Sequence, residues 1–286
     1  MPELSVLLPV HNGEATVHHA LTSTLRAMPR DSELVIWDDA STDSTVQAIE
    51  RFRDRRVRLI VNDRTVGVGS ALRALCDETD SRFIARMDAD DVCSPWRFAV
   101  QSAGLRAQGG GILFSPVVRF RTSPLRVTPS APVAIPPAAL PLHFAVMCVV
   151  MHPTMFASRH AIETAGGYRD VLAEDYDLWL RAGTAQVPMG RSAVPALAYR
   201  RHTGQVSLNG DYARRVGADT ALAKSYRDFI RAELDLDIDW MPARRVDSPS
   251  AAQAARELRE RLEERSARLP VWQRRLLQRT MRRLPS

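Results

Sequence analysis

Ser5-Val6-Leu7-Leu8-Pro9-Val10-His11-Asn12-Gly13 is the stretch on which the fold turns. After Ser5 it is continuously apolar to Val10, the pattern of a strand buried on both faces. His11-Asn12-Gly13 ends the strand as a turn, and a helix-spaced stripe of Val17, Leu21, Leu25 and Met28 follows. Strand and helix then recur. Leu34-Val35-Ile36-Trp37 is a second buried strand ending at Asp38-Asp39, and Ser41 or Thr42 is placed to cap a helix carrying Val46, Ile49 and Phe52. Residues 57–61 predict a third strand and residues 67–78 a helix. Phe83-Ile84-Ala85 leads a fourth strand into Met87-Asp88-Ala89-Asp90-Asp91, and Ser94-Pro95 predicts the next helix start. Four such units predict an α/β, doubly wound, mainly parallel sheet with right-handed crossovers. Ligands of such sheets bind beyond the carboxyl ends of the strands. Topology alone therefore brings both acidic clusters to one rim.

Further along, the pattern changes. Eight of the 18 prolines fall between residues 116 and 153, so a strand over 112–120 is expected to give way to an irregular, extended segment. A helix is expected to begin at Ser158 and stop at Gly166-Gly167. Residues 174–182 predict a helix closed by Gly183, residues 194–200 a strand, and residues from 211 onward are helical.

Composition excludes several classes. The formal charge of +6 resides in residues 251–286, which hold ten Arg and four Glu, so the preceding 250 residues are neutral. A neutral body with a basic tail is not a uniformly basic nucleic-acid binder, and no nucleic-acid partner is expected. Three cysteines, Cys76, Cys93 and Cys148, match no zinc spacing, which favours a reducing compartment. The N-terminus lacks the basic flank and apolar run of a signal peptide. No apolar run reaches 18 residues, so a cytoplasmic location is expected.

Asp88 and Asp90, two apart in an extended segment, share a face. Paired carboxylates repel unless a cation sits between them, and oxygen-only ligands suit Mg²⁺ or Mn²⁺. Standing alone, an Asp-x-Asp pair reads more simply as a solvated turn capping the next helix. By the same standard Glu174 and Asp175 are first-turn acids favoured by the helix dipole, and Asp38 and Asp39 are turn residues. No Walker A sequence and no G-x-G-x-x-G follows the first strand.

The pairs do not stand alone. Ser5 to Gly13, Asp38-Asp39-Ala40-Ser41-Thr42-Asp43, Ile84 to Asp91, Gly166-Gly167-Tyr168, Glu174-Asp175-Tyr176-Asp177-Leu178-Trp179-Leu180-Arg181 and Tyr199-Arg200-Arg201-His202 occur in one order and spacing. In that ordered set the chain resembles the inverting glycosyltransferases of family 2, which have the GT-A fold. The resemblance implies a nucleotide-diphospho-sugar donor, UDP-linked in the commonest case, and a saccharide or glycolipid acceptor. It implies that Pro9 and Asn12 lie beside the nucleotide and that Asp39, or its neighbour Asp38, accepts a hydrogen bond from the base. Arg86, in the strand before the motif, joins the donor site or pairs with a carboxylate. Asp90 would be the more direct metal ligand, with Asp88 nearer the ribose and sugar. Asp175 matches the catalytic base, and His202 a late histidine near diphosphate and metal. Residues 1–210 would form the GT-A domain, with 1–110 its nucleotide-binding half and 111–210 its acceptor-binding half. Residues 211–286 would be a helical extension.

The match has departures. His11 replaces an aromatic residue before Asn12, Ala40 replaces a glycine, and Arg73 replaces an asparagine. A Q-x-x-R-W signature is absent, which points to transfer of a single sugar, in polysaccharide, lipopolysaccharide or glycolipid assembly. A sugar nucleotidyltransferase would carry a Gly-rich, cationic loop after the first strand, which Pro9-Val10-His11-Asn12-Gly13 lacks. A non-catalytic nucleotide-sugar-binding module would not need the whole acidic set. His18, His19 and His143 match nothing.

The tail divides at Pro270. In residues 251–269 Glu and Arg interleave around Ala251, Ala255, Leu258 and Leu262, as in a helix packed on the body. Residues 270–286 hold five Arg, no acid, and an apolar set of Trp272, Leu276, Leu277, Met281 and Leu284. That composition suits either an anionic membrane surface, placing the protein at the membrane's inner face, or a protein partner.

Overall fold

The computed structural model describes residues 2–121, 127–201, 210–244, 246 and 248–285. The apolar runs form the centre of a seven-stranded sheet. Its strands are β1 (Leu4–Val10), β2 (Ser32–Asp39), β3 (Val57–Asn62), β4 (Phe83–Arg86), β6 (Ile112–Phe114), β9 (Phe156–Ser158) and β10 (Met189–Arg191), in the order β10-β6-β9-β4-β1-β2-β3. All neighbours are parallel except β9, which runs antiparallel to both β4 and β6. A smaller sheet, β5-β11-β7-β8, is built from β5 (Val92–Cys93), β7 (Val117–Phe120), β8 (Val127–Pro129) and β11 (Leu197–Arg200). The strand expected over 112–120 is thus two strands in two sheets, divided at Ser115-Pro116, because proline cannot continue the ladder of a central strand.

Helices α1 (Val17–Ala27), α2 (Thr45–Glu50), α3 (Val68–Asp77) and α4 (Arg97–Gln108) alternate with the first strands. Later come α5 (Leu140–Phe144), a 3-10 turn at His152–Thr154, α6 (Arg159–Thr164), α7 (Glu174–Thr184), α8 (Gly210–Ala218), α9 (Thr220–Leu234), α10 (Pro249–Ser266) and α11 (Val271–Met281). Ser158 caps α6 as expected, accepting from Ala161 N, and Gly166 and Gly167 follow with φ of 78° and 65°. Two other caps differ. Ser44, not Ser41 or Thr42, precedes α2, and Trp96, not Ser94, precedes α4. Gly183 does not close α7 but lies within it, where a Cβ would collide with the Phe229 ring.

The sheet separates two cores, and strand alternation sorts side chains between them. Leu7, Val35 and Ile84 enter the larger core; Val6, Leu8, Leu34, Ile36 and Ala85 enter the smaller one, with Leu21 of α1 and Phe98 of α4. The C-terminal helices belong to the larger core through Leu222, Phe229, Leu258, Leu262, Leu277 and Met281. The tail stripe is therefore mostly turned inward: Leu277, Met281 and Leu284 are buried, and only Trp272 of the expected apolar set is exposed.

Candidate functional site

A cavity of about 550 Å³ opens at the carboxyl ends of β1, β2 and β4. Pro9 and Asn12, Asp39, and Arg86, Asp88 and Asp90 all line it, so three segments far apart in sequence meet where sheet topology places them. The first two turns are bonded to each other. Asn12 N donates to Ser41 Oγ (2.9 Å), Thr42 N donates to Asn12 Oδ1 (2.8 Å), and Gly13 N donates to Thr45 Oγ1 (2.8 Å). His11 donates from Nδ1 to the Asp39 carbonyl (2.7 Å) and accepts at Nε2 from Asn12 Nδ2 (3.1 Å). Asn12 and Ala40 both have positive φ, 51° and 59°. Asparagine adopts that region readily, whereas alanine does so at a cost of about 1–2 kcal/mol. Ser41 and Thr42 thus join the two turns rather than capping α2.

Asp39 and Asp38 separate in role. Both carboxylates are buried, but only Asp39 lines the cavity. Its Oδ1 and Oδ2 accept from Val66 N and Gly67 N, each at 2.9 Å, which fixes the loop before α3. Trp37 Nε1 also donates to Oδ1 at 3.4 Å, so the acceptor position still open is on Oδ2. Asp38 Oδ2 accepts from Ser41 N at 3.0 Å and holds the turn.

Asp88, Asp90 and Asp91 form one cluster, with a carboxylate oxygen of each within 4.8 Å of the others. Asp88 Oδ1 pairs with Arg86 Nη2 at 2.9 Å. Asp91 is buried, and burial together with the charges of Asp88 and Asp90 pushes its carboxyl well above the usual range. Its Oδ1 accepts from Arg200 N (2.8 Å), while its buried Oδ2 has no hydrogen-bond partner. An orphaned buried oxygen beside two further carboxylates fits a hard divalent cation. Arg200 closes the site from β11: its Nε donates to the Asp90 carbonyl at 2.9 Å, and its guanidinium lies 4.7 Å from the Phe120 ring centroid. Beneath the motif, buried Arg97 donates to the carbonyls of Arg86 (2.7 Å) and Pro153 (2.8 Å), tying β4 to the turn before β9. Asp91, Arg97 and Arg200 were not singled out by sequence. Asp91 and Arg200 stand inside quoted motifs, which is the one signal for them; Arg97 carries none.

Asp175 does not line this cavity. It sits in the first turn of α7, its Oδ1 accepting from Tyr176 N at 2.7 Å. The charges of Asp88, Glu174 and Asp175 all act on the guanidinium of buried Arg86, which therefore lies near both the acidic cluster and the first turn of α7. Burial raises the Asp175 carboxyl above its ordinary range and Glu174 raises it further, while Arg86 acts in the opposite direction. His152, another residue without a sequence signal, lies with Nδ1 3.4 Å from Glu174 Oε1 and Nε2 2.7 Å from the Tyr168 hydroxyl. Burial and the Arg86 charge hold it down to about 3, so it is uncharged at neutral pH. The rest of the α7 motif is structural. Buried Asp177 binds Arg181 Nε (2.9 Å) and Ser225 Oγ (2.6 Å), and Arg181 Nη2 reaches the Gly167 carbonyl at 2.7 Å. Trp179 is wholly buried. His202 lies outside the described residues.

The mixed, largely parallel sheet with an acidic turn at its rim is the GT-A architecture. The pattern described as "Glycosyl transferase family 2" matches residues 5–158, and the chain belongs to that family. It is 30% identical over 193 residues to "Putative glycosyltransferase EpsE" of Bacillus subtilis, a match covering 63% of this chain and 66% of that protein, just under two thirds. It is 23% identical over 209 residues to "UDP-Glc:alpha-D-GlcNAc-diphosphoundecaprenol beta-1,3-glucosyltransferase WfaP" of Escherichia coli, covering 73% of this chain and 81% of the relative. The fold also resembles S. aureus TarS 1–349 in complex with UDP-GlcNAc, with a TM-score of 0.64, 15% identity, and coverage of 99% of this chain and 88% of that one.

Proposed function

We propose that the protein is a metal-dependent, inverting glycosyltransferase that moves one sugar from a UDP-linked donor to a hydroxyl of a lipid-linked saccharide. The observation that carries this is the convergence of Asp39, Asp88 and Asp90 with Arg86 and Arg200 around one cavity, with Asp175 near enough for its charge to act on Arg86. A UDP donor is supported by the similarity to WfaP, a UDP-Glc-dependent glucosyltransferase by name, and to TarS in complex with UDP-GlcNAc, and a diphosphate-lipid acceptor by the similarity to WfaP.

Asp39 would accept from the base, and Pro9 and Asn12 would flank the nucleotide. Asp90, Asp88 and Asp91 would hold Mn²⁺ or Mg²⁺, which when bound supplies positive charge for the departing diphosphate. Arg200, bonded at the Asp90 carbonyl, adds a fixed cation at the same rim. In the transfer, the acceptor oxygen forms a bond to the anomeric carbon from the face opposite the leaving group. The bond from that carbon to the diphosphate oxygen breaks, and its electron pair leaves with the nucleoside diphosphate. The acceptor's proton passes to Asp175, whose raised carboxyl is a stronger base than an exposed one, a contribution typically of ~10²–10⁴-fold. His202, the remaining metal candidate, keeps the role that the family resemblance implies.

Among the described residues no helix is long and apolar enough to cross a membrane. We place membrane contact instead on the outward side of α11, where Val271 and Trp272 are 60% and 51% exposed beside Arg275, Arg279 and Arg282. The test is a thermal-shift panel of UDP, GDP, TDP and CDP sugars with and without Mn²⁺. A UDP-sugar with Mn²⁺ is expected to raise Tm by mass action. A shift unaffected by Mn²⁺, or confined to another base, contradicts the assignment.

A further inference from the structure

A second cavity, of about 390 Å³, lies at α7's first turn, with Tyr176 in its wall. Met147 and Cys148 follow α5 into one wall, Tyr176 forms another, and Met241 and Pro242, beyond α9, form a third. Arg283, just past α11, stands at it as the lone charged residue. Tyr176 directly follows Asp175, and Cys148 is near enough to Asp175 for that carboxylate to act on its thiol. The cavity therefore adjoins the residue proposed as the base, and it shares no lining residue with the first cavity.

Its walls have little to offer a bare sugar. The Tyr176 hydroxyl is engaged with the Phe144 carbonyl, and the Cys148 thiol with the Val150 carbonyl at 3.7 Å. What remains is apolar surface from two methionines and a proline, and one guanidinium. Arg283 is exposed and has no carboxylate partner among the described residues. It continues the acid-free face of Arg275, Arg279 and Arg282. An apolar wall with a single free guanidinium complements a phosphate ester carrying an apolar chain.

We propose that this cavity is the acceptor's anchoring site: Arg283 binds the phosphate that joins saccharide to apolar chain, and Met147, Met241 and Pro242 receive the start of that chain. The saccharide end then lies toward Asp175. The inference rests on the glycosyl-transfer reading and adds a site and a ligand chemistry to it. It also gives the tail a role at the active site, since a residue beyond α11 completes the cavity.

The test is isothermal titration calorimetry of the full chain with farnesyl diphosphate, inorganic pyrophosphate and farnesol. Saturating UDP and Mn²⁺ are present throughout to keep the donor cavity filled. Farnesyl diphosphate is expected to bind wild type, and Arg283→Glu to weaken it roughly tenfold or more, as for loss of a charged hydrogen bond. Arg283→Lys should restore most of the affinity, and Arg275→Glu, outside the cavity, should leave it unchanged. Pyrophosphate and farnesol should each bind far more weakly than the conjugate. Pyrophosphate binding as well as farnesyl diphosphate would overturn the apolar-chain assignment. Equal weakening by Arg275→Glu would show diffuse surface charge and overturn the site. UDP binding measured first keeps the two levels apart. If wild type binds UDP with Mn²⁺ but not farnesyl diphosphate, only the acceptor site fails; if it binds no UDP, the underlying reading fails.

Discussion

Ala40 shows how a single side chain can sit against its backbone. The turn after β2 requires φ of 59° there, because Ser41 and Thr42 must reach back to Asn12 while Asp38 accepts from Ser41 N. A Cβ in the left-handed region costs on the order of 1–2 kcal/mol, partly offset in glycine by the entropy lost on folding. Ala40→Gly is therefore expected to raise unfolding stability by about 0.5–1 kcal/mol. Urea titration checks this, and a loss of stability would mean that the turn does not adopt this geometry. Gly13 is the opposite case, since a Cβ there would meet Val10 Cγ2 at 2.7 Å and open the same junction. Asp39 and Asp38 were indistinguishable by sequence. Alternation along β2 and the loop at Val66-Gly67 decide between them, and neither is visible in a local motif.

At the scale of elements, the contacts that position the site are between helices whose pairing no periodicity records. Gly69 lets the start of α3 approach α7; a Cβ there would lie 2.7 Å from the Arg169 carbonyl and 3.3 Å from Glu174 Cβ. The tail is held by a similar contact. His143 of α5, which had no sequence role, lies with Nδ1 2.9 Å from Thr280 Oγ1 of α11. Burial, with the Arg191 charge, lowers it from 6.5 to about 4. The folded state therefore favours the uncharged ring. The stability this contributes is complete above pH 6.5 and is lost as pH falls toward 4, at about 1 kcal/mol per pH unit. His152 acts in the same direction; the raised carboxyls of Glu174, Asp175 and Asp91 act in the opposite one. All four remain in His143→Gln, so the difference between the two proteins isolates His143. The variant is expected to lose less stability than wild type between pH 6 and 4.5, by about 1 kcal/mol per unit. Parallel stability curves in urea would contradict a buried, uncharged His143.

For the whole molecule, one sheet with a core on each face accounts for what sequence could and could not convey. The four strand–helix units and the meeting of Asp39, Asp88 and Asp90 at one rim were legible, because apolar runs, strand–helix alternation and the parallel topology imply them. Closure of the site by Asp91 and Arg200 was not, because β11 reaches the rim from over a hundred residues away. Nor was the fate of the tail stripe. An amphipathic pattern states that a face will be covered, not by what, and Leu277, Met281 and Leu284 are covered by the body. Arg86 lines the cavity at the strand ends and also feels the charges of Glu174 and Asp175 in α7's first turn, and Asp175 is the proton acceptor that we propose. Asp175→Asn tests this most directly, with UDP–Mn²⁺ binding and UDP-sugar turnover measured on the same preparation. Binding should stay within about threefold of wild type, while turnover falls by ~10²–10⁴-fold. Undiminished turnover with intact binding would contradict the assignment of Asp175 as the base.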